Sequence, residues 1–488
     1  MGWPLKEKDL KRYPHFDAFI PLKELERLAT DPEKVAKHPF LPFLLYTKGW
    51  QPFRREGQRP KRKERPIRYA SRRDSAIFSY YRYLLSQHYE TALLKLGIDR
   101  CPIAYRKLAR PAGIGGKCNI DFAADAFAEV CKLCTCCTVT LDISSYFECI
   151  DHGRLGEVWN RLLGTSRLPP DHMAVFRAIT QYAVVDRNAA YERLGYIGVK
   201  ARPGGLTSTG FLTPRRAMPI QLCTPQEFRQ RIAGKDKSHP SLIVKNKENY
   251  GIPQGAPISD LLANIYLLDF DVLVQNYVSL LGGIYYRYSD DIFILVPGGA
   301  EAGFTATAFI VDAIQKFGPK LKIKESKTAI VAFSPGSDGA LSATRIDRPR
   351  SRSGLEYLGF RFDGRKAYLR ESTMSRFHRS IKLAGRRRAR MLVRRFNGHS
   401  FASLIERFRV EDFESRFGRI AGFEHCLQHQ KWTFRTYIKR CSAVFGDTDG
   451  TFFRQMRRHR EFIIQVAGEE IRKALVKHPS ETKDIALG

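Results

Sequence analysis

A chain of 488 residues with 43% hydrophobic and 12% aromatic content has enough apolar side chains to build a large core in roughly two or three domains, which excludes a disordered polypeptide. Its 82 Lys and Arg against 50 Asp and Glu leave a formal charge of +32, so a polyanionic partner is expected. No run approaches the roughly 18 apolar residues of a membrane span, and Lys6, Glu7 and Lys8 stand where a signal peptide needs an apolar core. Nucleic acid in the cytoplasm is therefore favoured over a membrane.

Residues 1–52 mix charge, aromatics and prolines and read as short helices of an N-terminal extension. Between 53 and 73 there are ten Lys or Arg against two Glu, among them Arg59, Lys61, Arg62, Lys63, Arg65, Arg68, Arg72 and Arg73. Charge runs are most often solvated faces, but Pro60 and Pro66 punctuate this one. Ile67 and Tyr69 alternate with basic residues, as in an exposed strand able to grip phosphate. Residues 74–96 predict an amphipathic helix, with Ile77, Tyr81, Leu84, Leu85, Tyr89, Leu93 and Leu96 near one stripe, and 118–132 a second. Cys131, Cys134, Cys136 and Cys137 lack a second pair at zinc-ligand spacing, so they read as small buried core residues.

In the strand expected at 138–143, Val139, Leu141 and Ile143 face one side and Thr138, Thr140 and Asp142 the other, away from the apolar core. A helical stretch over 153–186 and a loop-rich insertion over 187–250 follow. The Gly- and Pro-rich segment 251–259 leads into a helix in which Leu261, Ile265, Leu268 and Val272 share a face, with Ser259 or Asp260 as its cap. Apolar runs at 283–286 and 292–296 predict a hairpin with Asp290 and Asp291 at its tip. Residues 320–333 read as a strand pair carrying Lys327, and 355–362 as a short hairpin. From 371 onward the chain is helical and basic, with nine Lys or Arg and no acid between 376 and 395. Its expected core is Phe396, Phe401, Phe408, Phe413, Phe417, Phe423, Trp432, Phe434 and Tyr437. Arg386, Arg387 and Arg388 are the expected phosphate contacts.

Adjacent carboxylates repel unless a cation neutralises them, and oxygen ligands favour a hard ion such as Mg²⁺. A strand-terminal Asp142 converging with Asp290 and Asp291 is what two-metal phosphoryl transfer needs, with ions about 3.5 to 4 Å apart. The residues alone therefore predict a nucleic-acid-binding phosphoryl transferase.

The segment from Leu141-Asp142-Ile143 through Phe147 to Asp151-His152 resembles the first palm motif of reverse transcriptases, and 251–267, with Pro253-Gln254-Gly255 and Asn264, resembles the second. Tyr288-Ser289-Asp290-Asp291 is similar to the family's Tyr-x-Asp-Asp motif, Lys327-Thr328 to its Lys-bearing motif, and Tyr357-Leu358-Gly359-Phe360 to its primer grip. The resemblance implies an α+β right-hand polymerase: fingers at 53–136, a palm with an antiparallel sheet at 137–362, and a helical thumb and C-terminal domain at 363–488. It also implies an RNA-directed DNA polymerase in which Asp142, Asp290, Asp291 and the Ile143 carbonyl hold two Mg²⁺, with Mn²⁺ an alternative. Lys63, Arg65 and Arg73 would hold the triphosphate, Phe147 would reject a ribose 2′-hydroxyl, and Gln254 would touch nucleotide and template base. Lys327 would protonate pyrophosphate, while Tyr357 and Gly359 would meet nucleic acid.

Cys101-Pro102-Ile103-Ala104-Tyr105-Arg106, Gly116-Lys117-Cys118-Asn119-Ile120, Leu168-Pro169-Pro170-Asp171-His172 and Pro225-Gln226-Glu227-Phe228-Arg229 resemble prokaryotic abortive-infection, antiphage reverse transcriptases. Asp260 and Ser289 depart from group II intron enzymes, which commonly have Pro and Ala there, and neither an endonuclease nor an RNase H domain is expected. The partners implied are a non-coding RNA template, a DNA product and dNTPs, with homo-oligomerisation left open. The alternatives are an RNA-dependent RNA polymerase and a non-catalytic RNA-binding protein that retains the palm.

Overall fold

The computed structural model describes residues 3, 5–7, 10–50, 62–110, 115–201, 205–236, 238–349, 353–417 and 433–477. Arg59, Lys61, Phe423 and Trp432 lie outside the described residues. The fold is α+β with antiparallel sheets, as expected. It divides into two compact units. The first comprises Met1–Arg106, Leu141–Ile292 and Thr307–Lys327, and the second Lys107–Thr140, Phe293–Ala306 and Thr328–Gly488.

In the first unit Ser71 accepts the Asp74 N–H and opens the helix Arg72–Lys95, whose buried residues include Ile77, Tyr81, Leu85, Tyr89 and Leu93. The basic segment forms the strand Lys63–Tyr69 at the edge of a four-stranded sheet, followed in order by Phe43–Trp50, Ala183–Asp186 and Val244–Lys245. Leu44 stands opposite Tyr69 and Lys48 opposite Arg65 in the first antiparallel pair. The long helix expected over 153–186 is instead two helices, His152–Leu163 and Pro170–Thr180, ahead of the strand Ala183–Asp186. Gly164 at φ +69° ends the first helix, and Pro170 starts the second.

The region 187–250 is more ordered than its composition suggests. It holds the helix Arg187–Arg193 and an antiparallel ribbon of Ile197–Ala201 and Thr207–Phe211. Ala190, Tyr191, Leu222, Cys223 and Ile232 pack in a core with Phe16, Leu44 and Val185. The expected single helix after 259 is also two, Ser259–Tyr266 and Leu268–Leu280. Ile258 occupies the N-cap and Ser259 Oγ donates to the Pro253 carbonyl at 2.8 Å, so Ser259 does not cap the helix, whereas Asp260, paired with Arg82, accepts the first-turn N–H of Leu261 at 2.8 Å.

The second unit holds an antiparallel array in the order Leu341–Arg345, Ala329–Pro335, then the parts of Cys136–Asp142 up to Thr140 and of Asp291–Pro297 from Phe293. The middle pair sets Cys136 opposite Phe333 and Thr140 opposite Ala329. Both faces of Cys136–Asp142 are buried, contrary to the expected polar face. Thr138 fits inside because its hydroxyl bonds the Val331 carbonyl at 3.3 Å. The strand pair expected over 320–333 is only Ala329–Pro335, and Lys327 ends a 3₁₀ turn, Glu325–Lys327. The alternating Leu321, Lys322, Ile323 and Lys324 imitate a strand, yet within the first unit Ile323 makes only an isolated bridge, to Ile143.

The hairpin at 355–362 gains a third strand, giving Leu355–Tyr357, Phe360–Phe362 and Ala367–Leu369. After it, the helix Glu371–Arg395 packs Phe377, Ile381 and Leu392 against Leu404, Phe408, Phe413, Ile463 and Val466, with Phe396, Phe401, Phe417 and Phe434 around them. Cys136 and Cys137 are buried, but Cys131 and Cys134 are exposed, which corrects half of that expectation. Among the described residues no helix is long and apolar enough to cross a membrane.

Candidate active site

The expected hairpin is Ile284–Tyr288 and Asp291–Pro297, joined through Ser289 and Asp290. Ser289 adopts φ +62°, a left-handed conformation uncommon for a residue with a side chain. A buried network sustains it. Arg287, fully buried, donates from Nη1 to the Ser289 carbonyl at 3.1 Å and to Asn264 Oδ1 at 3.2 Å. Its Nε and Nη2 each reach an oxygen of the equally buried Asp271 at 2.6 Å, and Tyr285 adds its hydroxyl to Asp271 at 2.6 Å. The strand is also fastened by backbone: the Arg287 N–H donates to the Cys101 carbonyl at 2.8 Å, and the Ile103 N–H to the Arg287 carbonyl at 2.9 Å. Sequence reasoning missed this role, because a lone Arg between aromatics in a strand looks like an exposed residue.

The turn meets the end of the strand Cys136–Asp142. The Ile143 N–H donates to the Asp290 carbonyl at 3.0 Å, while the Asp142 carbonyl accepts from the Lys324 N–H at 2.8 Å. In extended backbone a residue's carbonyl leaves on the same edge as its N–H, so the Ile143 carbonyl is directed toward the turn. Asp142 is buried, and Lys327 Nζ donates to its Oδ1. Burial first, and the Asp142 charge second, raise the Asp290 carboxyl above the ordinary range, while Lys327 and Arg65 oppose the shift. Asp291 is exposed at the start of the next strand.

Two carboxylates, one of them capped by an ammonium, form a site that favours positive charge, and oxygen donors of this kind suit a hard divalent cation. Among the described residues no group of three or more His, Cys, Asp or Glu side chains is drawn together enough to hold a metal.

Phe147 lies half-buried in the 3₁₀ turn Tyr146–Glu148, which the chain enters through Ser145 at φ +47°. The Phe147 carbonyl accepts the Ile252 N–H at 2.8 Å, and the Gly251 N–H donates to the Ile150 carbonyl at 2.7 Å. Gln254, in the same Gly- and Pro-rich loop, accepts the Arg68 N–H on its carbonyl at 2.9 Å. Lys63 and Arg65 are exposed and, two residues apart in a strand, share a face. Arg73 is exposed on the first turn of Arg72–Lys95, whereas Arg72 is buried on Asp17 at 2.7 Å. Within the first unit Asp142, Ile143, Asp290 and Lys327 are joined by hydrogen bonds and charge, with Arg65 acting on Asp290, while Phe147 and Gln254 belong to a turn and a loop that are bonded to each other.

The remaining expected residues belong to the second unit. Tyr357 is buried against Phe293, ring centres 4.7 Å apart, and Gly359 turns the chain at φ +95°. The three-arginine cluster does not form one patch. Arg386 pairs with Glu470 at 2.9 Å and Arg388 lies 5.2 Å from the Phe408 ring centre, while Arg387 is exposed.

Residues 216–362 match the family of reverse transcriptases, described as RNA-dependent DNA polymerases. The match begins after Asp142 and Phe147 and includes Gln254, Asp290, Asp291, Lys327 and Tyr357. No curated protein matches the sequence. Among solved structures, a truncated apo telomerase from Candida tropicalis is 10% identical with a TM-score of 0.37, and the match covers 72% of this chain and 60% of that one. A telomerase from Candida albicans, solved with a fragment of telomeric RNA, is 12% identical with a TM-score of 0.35, covering 93% of this chain and 67% of that one. An RNA-dependent RNA polymerase of a human picobirnavirus is 11% identical with a TM-score of 0.32, covering 66% and 44%. The chain therefore spans only part of the length of these proteins, and superpositions this loose say nothing about its substrates. Residues 216–362, under a third of the chain, are thus similar to the reverse transcriptase family, whose members are nucleotidyltransferases of the RNA-directed DNA polymerase kind and generally use divalent metal ions.

Proposed function

We propose that the whole chain copies an RNA template into DNA from dNTPs, that the template is a dedicated non-coding RNA, and that the product serves antiphage defence in the cytoplasm. The observation that carries the polymerase reading is the junction of the strand end at Asp142 with the left-handed turn at Asp290, bridged by the Ile143 N–H and balanced by Lys327. In this reading Asp142, Asp290 and Asp291, with the Ile143 carbonyl, hold two Mg²⁺, or Mn²⁺. When bound, these ions lower the pKa of the attacking hydroxyl and neutralise the leaving pyrophosphate.

The primer 3′-hydroxyl oxygen forms a bond to the α-phosphorus, the α–β phosphoanhydride bond breaks, and the hydroxyl proton passes to solvent. Lys327 Nζ gives its proton to pyrophosphate. Lys63, Arg65 and Arg73 hold the triphosphate, Phe147 excludes the 2′-hydroxyl, and Gln254 orients the base pair. Tyr357 and Gly359 shape the primer grip, and Arg386, Arg387 and Arg388 lie along the duplex. Of these three, Arg386 and Arg387 are exposed, Arg386 already paired with Glu470.

The test is to purify the protein with its bound nucleic acid, supply labelled dNTPs with Mg²⁺, and sequence RNA and product. A discrete RNA copied into complementary DNA is the expected result. DNA without a matching template overturns the templated reading, and incorporation of NTPs alone overturns DNA synthesis.

A further inference from the structure

Arg68 belongs to the basic strand but does not project as Lys63 and Arg65 do. Its side chain is 13% exposed, with Nη1 donating to Glu148 Oε1 at 2.7 Å and Nη2 to Oε2 at 3.4 Å. The guanidinium lies 5.3 Å from the centre of the Tyr182 ring. The Arg68 N–H holds the Gln254 carbonyl at 2.9 Å. Gly255 runs at φ +120°, and a Cβ there would stand 2.6 Å from the Arg68 carbonyl oxygen, so only glycine lets strand and loop approach this closely. On the far side of the loop Gly251, at φ +90°, leaves a Cβ only 3.3 Å from the Glu148 carbonyl oxygen. One residue therefore grips the neighbour of Phe147 through its side chain and Gln254 through its backbone.

A two-pronged Arg–carboxylate contact fixes orientation as well as distance. Glu148 is 40% exposed at its side chain, and ion pairs that open to water add little to folding, so the consequence of this contact is geometric. We propose that Arg68 is a positioning residue which, through Glu148, sets Phe147 relative to Gln254 and thereby sets discrimination between deoxyribo- and ribonucleotides. The proposal rests on the reading of Phe147 as the residue beneath the sugar. Nothing in the sequence marks Arg68 out from the basic residues around it, because its partner is distant in the chain.

The test compares Arg68→Gln, Glu148→Gln and the double variant for incorporation of matched dNTP and NTP on one template, with thermal melting of each. Each single variant is expected to lower the dNTP-over-NTP preference in kcat/KM about three- to tenfold with melting unchanged, and the double to be no worse than the singles, as for two members of one contact. Unchanged preference in both singles, or effects that simply add in the double, overturns the proposal. Phe147→Ala separates the underlying reading. If it relaxes sugar selection while Arg68→Gln does not, only the positioning role falls; if it fails to relax selection, the assignment of Phe147 falls and the proposal with it.

Discussion

At the inner end of the catalytic hairpin Arg287 and Asp271 are both fully buried, and every charged prong has a partner: two contacts at 2.6 Å between them, a tyrosine hydroxyl, and carbonyls of Asn264 and Ser289. At the outer end Asp142 and Asp290 lie close together with a single ammonium, from Lys327, whose side chain is 49% exposed. The inner cluster is closed and holds the turn in its left-handed shape. The outer cluster sets two carboxylates, with Asp142 buried, against one half-exposed ammonium and the charge of Arg65. Charge that is satisfied builds the fold here, and the less fully paired acids are the ones proposed for the chemistry.

Breaking the inner end should have the largest effect on stability. Arg287→Met leaves Asp271 buried without its counter-ion, a loss of about 3 to 5 kcal/mol. Chemical denaturation should show it, and added Mg²⁺ should not restore it. A change below about 1 kcal/mol would mean that the inner cluster does not hold the turn.

Lys327→Ala should do the opposite. Folding stability should move less than in Arg287→Met, because the Lys327 side chain is 49% exposed, although its partner Asp142 is buried. The rate constant kcat should fall about 10²-fold, as for loss of a general acid. An unchanged kcat would reduce Lys327 to a local counter-charge.

A smaller effect extends the contrast to a buried group without a counter-charge. His459 stacks on Phe377 with ring centres 5.2 Å apart, and burial, with His378 and Arg435 nearby, pushes it down to about 4. The unfolded chain takes up its proton near the ordinary value of 6.5, which the folded bundle refuses until lower pH, so stability should fall as pH drops from 6.5 toward 4. His459→Phe should flatten that slope in melting curves, and an unaltered slope would place the acid sensitivity elsewhere.

Elements with a clean period were legible in the sequence. The helices Arg72–Lys95 and Asn119–Leu133 and the hairpin around Asp290 follow from apolar spacing and turn residues alone. The region 187–250 was not, because Ala190, Tyr191, Leu222 and Ile232 are irregularly spaced and find their order only against Phe16, Leu44 and Val185 from other segments. Within the site the acids were legible as types, since paired Asp at a hairpin tip has few structural uses. Their partners were not, because Lys327 meets Asp142 across 185 residues, Arg68 meets Glu148 across 80, and Arg287 meets Asp271 across 16. Side chains that meet across such separations leave no local pattern.

The central claim, that the outer cluster is a catalytic site and the inner one its support, is tested most directly by dNTP incorporation on a primed RNA template with Mg²⁺. Asp290→Asn should be measured beside the wild type, with melting curves of both. The account predicts templated extension by the wild type and a loss of at least about 10³-fold in Asp290→Asn, with melting unchanged or raised because a carboxylate beside Asp142 has been neutralised. Extension that survives Asp290→Asn would contradict it.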